Sequence, residues 1–122
     1  MLYMTTLKVT RQPSTPVPAS LMEAVMALGA EATRAGVLVD TRGLAPVAAG
    51  GARISLVGGA LSVTDGPFAE SKELVSYALY DVRSRDEAVE WTTRFVRLHL
   101  EHWEGWEGEA DVQPVFEAPP VP

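Results

Sequence analysis

Leu74 to Val82 constrains the fold of this chain more than any other segment. Read at period two, one alternating set is Leu74, Ala78, Tyr80 and Val82 and the other is Val75, Tyr77 and Leu79. Both sets are largely apolar, and a strand of that kind has to be covered on both faces. It sits between a hairpin signal and a helix. Upstream, Ala52 to Val57 and Ala60 to Thr64 straddle Gly58-Gly59, the two-residue spacing of a tight hairpin. Downstream, Ser84 with Glu87 reads as a capping box. Ala88, Trp91, Phe95 and Leu98 then form an apolar stripe opposite Glu90, Arg94, Arg97 and Glu101.

The rest of the chain fills in around that strand. Leu2 to Thr10 is rich in β-branched and apolar residues and is stopped by Gln12-Pro13. Ser20 with Glu23 reads as another capping box, followed by Leu21, Val25, Leu28 and Ala32 at helical spacing until Gly36. Val37 to Asp40 is a short apolar segment, and Gly43 to Gly51 a loop of small residues. Gly105 and Gly108 are expected to end the second helix. Ala110 to Phe116 has strand composition, with Pro114 pushing it to a sheet edge. The tail 118–122 is expected to fray.

Strand, helix, two or three strands, central strand, helix, strand is an α+β order in the ferredoxin-like βαββαβ style. One domain over 1–122 is expected, since the chain holds neither a repeat nor a linker. Two helices cover only one face of such a sheet. The expected cover for the other is a second copy, making a homodimer packed sheet to sheet.

Composition removes several functions. With 47% hydrophobic residues the chain is too apolar for disorder, and its apolar runs are too short and interrupted to span a bilayer. No membrane partner is expected. The N-terminus lacks a basic start followed by a continuous apolar block, so the expected compartment is the cytoplasm. The absence of cysteine excludes disulfides, zinc-thiolate sites and thiol nucleophiles. A net charge of −6 works against direct nucleic-acid binding. Gly58-Gly59 lacks the following Lys-Ser/Thr of a phosphate loop, and no Gly-x-Ser-x-Gly elbow is present. No cofactor is expected.

The segment Asp65-Gly66-Pro67-Phe68-Ala69-Glu70-Ser71-Lys72-Glu73 joins turn chemistry to an apolar anchor and three charges. Together with Met4 in the first strand, Leu98 to Gly108 and the closing Val115-Phe116-Glu117, it makes the chain resemble the YCII-related family in its DGPF branch. The resemblance implies a dimeric α+β barrel, two ferredoxin-like protomers with their sheets face to face. It also implies a His-Asp pair in enzyme-like members and, from fused relatives, a sigma-factor partner. The histidine of those members lies in the first helix, and Glu23 to Arg34 here contains none. That pair does not carry over.

His99 and His102 fall on the apolar side of the second helix. Each is either a structural histidine, bonded to backbone or packed against Trp103, or a proton-transfer group oriented by Asp65. Two histidines at i, i+3 supply too few ligands for a metal. Asp65 also reads as a turn residue accepting backbone N–H bonds. Phe68 reads as an anchor, and Glu70, Lys72 and Glu73 as a solvated cluster or the rim of a pocket. Tyr77 and Tyr80 lie on opposite strand faces, so only one faces an inter-sheet cavity. Phe68, Tyr77, Tyr80, Glu70 and Lys72 are therefore the candidate ligand-pocket residues. Two functions follow: a cofactor-independent small-molecule enzyme using His99 or His102 with Asp65, or a non-catalytic dimeric ligand-binding or regulatory module.

Overall fold

The computed structural model describes residues 1–68 and 72–117. Glu70 and the tail 118–122 lie outside the described residues. Strands β1 (Leu2–Arg11), β2 (Leu38–Gly43), β5 (Glu73–Asp81) and β6 (Glu107–Pro114) form one antiparallel sheet in the order β2-β5-β1-β6. Helices α1 (Ala19–Arg34) and α2 (Arg85–His102) cover one face of it. This is the expected ferredoxin-like α+β arrangement, with Pro114 on an edge strand.

Alternation along the two central strands sets the core. Tyr3, Thr5, Leu7 and Val9 of β1 point to the helices, opposite Tyr80, Ala78 and Ser76 of β5. Tyr3 and Tyr80 pack with Ala32 of α1, Ala88 of α2, Val37 and Val82. Where Thr5 meets α2, its hydroxyl and that of Thr92 lie 2.7 Å apart, each the other's partner in a buried site. Arg94 of α2 bridges to Glu31 of α1 at 2.5 Å and holds that carboxyl below its usual range.

The other sheet face is open among the described residues. It carries Met4, Thr6, Tyr77 and Leu79, with its charges paired inside the chain: Lys8 to Asp111 at 3.1 Å and Lys72 to Glu109 at 2.6 Å.

β3 (Ala52–Val57) and β4 (Ala60–Asp65) form the expected hairpin, with Gly58 at φ 58° and Gly59 at φ 77° in the left-handed region a primed turn demands. They make a separate two-stranded sheet, so only β2 of the segments between the first helix and the central strand joins the main one. On one hairpin face Ile54 meets Val63 and Leu56 meets Leu61, and all four side chains are exposed by 67% or more.

Local expectations are corrected at four points. The Ser20/Glu23 box does not form, because α1 starts two residues earlier, with Pro18 at its N-cap and the Pro18 carbonyl accepting from Leu21 and Met22. Ser84 does cap α2, accepting from the Glu87 N–H at 3.1 Å, but Glu87 reaches back to the Arg83 N–H rather than to Ser84. Gly105, at φ 87°, follows α2, whereas Gly108 lies inside β6, where a Cβ would strike the Lys8 carbonyl and the Trp106 ring. Gly66 keeps an ordinary negative φ; it is glycine because a Cβ there would sit 2.8 Å from the Val47 carbonyl oxygen. The Gly66–Pro67 bond is cis.

Candidate functional site

The end of α2 builds the site. Its apolar stripe carries Phe95 and then His99 into the space between α1 and the sheet, and Gly105 turns the chain so that Trp106 comes back over His99. The imidazole contacts Phe95 edge to face at 5.1 Å between ring centroids and lies tilted against Trp106 at 4.5 Å. Trp103 is buried and donates its indole N–H to the Thr15 hydroxyl at 3.0 Å, tying the helix end to the loop after β1. These rings form one wall of a cleft of about 550 Å³, closed by Leu7, Leu21, Val25 and Val75. Gln12, Thr41, Arg42, Glu73 and Ser76 are its other polar neighbours. Cofactor and metabolite sites are generally apolar concavities of this size with few polar groups.

His99 is the ionisable group in the aromatic wall, and it is 7% exposed. Its Nδ1 lies 3.1 Å from the Phe95 carbonyl oxygen, which can only accept, so the neutral ring carries its proton on Nδ1. Burial lowers its pKa below the usual imidazole value, with the Phe95 and Val96 carbonyls pulling the other way. Among the described residues no buried side-chain nitrogen or oxygen lacks a partner. Nε2, which makes no such bond, is therefore the part of the ring that meets open space.

The structure disperses the other expected site residues. Asp65 is exposed at the end of β4, in the separate hairpin, and its side chain bonds neither histidine nor any backbone N–H among the described residues. His102 is half-buried but does not line the cleft. Phe68 stacks under the Arg53 guanidinium at 4.1 Å and, with Lys72 and Pro46, walls a smaller space of about 300 Å³. The charge cluster separates: Lys72 pairs with Glu109 across the sheet, while Glu73 accepts from the Val47 N–H at 3.3 Å. Tyr80 faces the helices. Tyr77 faces the open side and donates to Asp40 at 2.7 Å, which with burial raises its pKa.

Sequence reasoning placed His99 on an apolar face but missed Trp106 as its partner and Leu7 and Val75 as its floor. The usable signal was Trp106-x-Gly108, a bulky ring two residues before a position with no side chain. Among the described residues no three His, Asp or Glu side chains converge into a metal-ligand set. No helix among them is long and apolar enough to cross a membrane.

A family model described as YCII-related domain matches residues 1–103, from the start of β1 to Trp103. Trp106 and β6 lie beyond the match. No curated protein matches the chain.

Proposed function

Because the chain belongs to the YCII-related family, we propose that it is a dimeric small-molecule-binding module whose ligand occupies the cleft between α1, α2 and the sheet, with His99 as its central polar group. The observation that carries this reading is the separation of Asp65 from the histidines. A proton-transfer pair needs base and orienting carboxylate within hydrogen-bond reach. Asp65 instead sits exposed on its own hairpin, while His99 is oriented by a backbone carbonyl. The enzyme reading thus loses the partner it required, and the binding reading keeps its pocket.

Dimerisation draws support from the open sheet face. Its apolar residues lack cover within the chain, and its Lys8, Lys72, Asp111 and Glu109 charges cancel, although the chain carries a net −6. Two such faces meet without like-charge repulsion. In this role the dimer reports a bound ligand to a protein partner, a sigma factor being the one that fused relatives of the DGPF branch suggest.

The test is an NMR titration with a small-metabolite library on wild type and Asp65→Asn. Ligands are expected to shift His99, Trp103 and Trp106 resonances equally in both proteins. A His99 pKa that moves in Asp65→Asn would overturn the binding-only reading.

A further inference from the structure

The cleft is selective for charge and for hydrogen-bond polarity, and this rests on the cleft being the ligand site. We infer that its ligand is an uncharged, planar apolar molecule that presents a hydrogen-bond donor to His99, and that carboxylates and phosphates are rejected. Three observations combine. The Nδ1 proton is committed to the Phe95 carbonyl, so the ring offers a ligand only the Nε2 lone pair, which accepts and cannot donate. The ring is wedged between Phe95 and Trp106 and is 7% exposed, a setting that disfavours the imidazolium an anion would need. Finally, Arg42 pairs with Tyr77 across the open side of the sheet, whereas Glu73, opposite buried Val9, lies on the helix side, so the cleft offers an anion no counter-charge. The flat walls of Trp103, Trp106 and Phe95 suit a planar ring system.

Indole, its oxygen isostere benzofuran, and benzofuran-2-carboxylate separate these features: donor, no donor, and anion. Each is titrated at pH 7.5 into the intact protein, following the Trp103 and Trp106 indole N–H and His99 ring signals by NMR. Indole is expected to bind about fivefold more tightly than benzofuran, the effect of one ordinary hydrogen bond, and the carboxylate to leave the signals unmoved. In His99→Phe the first two are expected to bind equally. Should that variant not fold, the wild-type ranking is decisive alone. Benzofuran or the carboxylate binding as well as indole overturns the inference and leaves the cleft as a ligand site. Failure of all three to move the cleft signals overturns both.

Discussion

Removing one member of the Thr5–Thr92 hydroxyl pair is expected to damage the fold more than removing both. The two oxygens are 2.7 Å apart, and the residues are 3% and 5% exposed, so each hydroxyl depends on the other inside the sheet–α2 interface. Thr92→Val keeps the volume and the helix propensity but leaves the Thr5 hydroxyl buried without a partner, at a cost of about 1–3 kcal/mol. Thr5→Val leaves the Thr92 hydroxyl in the same position. The double variant replaces both hydroxyls by methyls of the same shape and is expected within about 0.5 kcal/mol of wild type. Unfolding entropy of about 2.1 cal/mol/K per residue over 122 residues gives roughly 0.26 kcal/mol/K, or about 4 °C per kcal/mol. Each single variant should therefore melt about 4–12 °C below wild type by calorimetry, and the double variant within about 2 °C. Single losses that simply add in the double variant would refute the reasoning, because they would mean that the hydroxyls do not satisfy each other.

Gly108→Ala forces a methyl into the Lys8 carbonyl and the Trp106 ring, and backbone cannot rotate away. A loss of about 2–3 kcal/mol in urea unfolding is expected, with Gly43→Ala, which meets nothing within 4 Å, near wild type. Burial lowers the His99 pKa in the folded state, so the unfolded chain takes up a proton first as pH falls below about 6.5. Stability is then flat above that pH and declines below it by at most about 1.4 kcal/mol per pH unit. His99→Gln should remove that slope from unfolding curves between pH 7.5 and 5.5. Leu79→Arg replaces an apolar side chain of the open sheet face with a long charged one, beside Asp40. Solution scattering should show its mass falling from twice the 13.1 kDa chain mass to once that mass, and a wild type already monomeric would remove the dimer from the proposal.

Local rules read much of this structure from sequence. Alternation puts Tyr77 and Tyr80 on opposite faces of β5, and the 100° spacing from Ala88 through Phe95 puts His99 on the buried side of α2. The Gly58-Gly59 turn follows from chemistry within four residues. What escaped depends on distant contacts. No periodicity reveals that β3 and β4 pair only with each other, which is what carries Asp65 away from His99. The roles of Gly66 and Gly108 come from Val47 and Lys8, far along the chain, and not from dihedrals that glycine alone can adopt. The charge cluster failed as a unit because Lys72 and Glu73 find partners on different elements.

The β3–β4 hairpin packs chiefly on itself, and the Gly66 N–H donating to the Gly51 carbonyl at 3.0 Å closes its base. Its position relative to the sheet is thus a coordinate separate from the integrity of the core. A chain without cysteine makes that coordinate directly measurable. A thiol introduced at exposed Ser62 and another at exposed Asp81, at the end of β5 in the main sheet, would be the protein's only two. Spin labels on them would report hairpin-to-sheet distances as a distribution, narrow for a fixed arm and broad for a swinging one, while the buried side chains stay untouched.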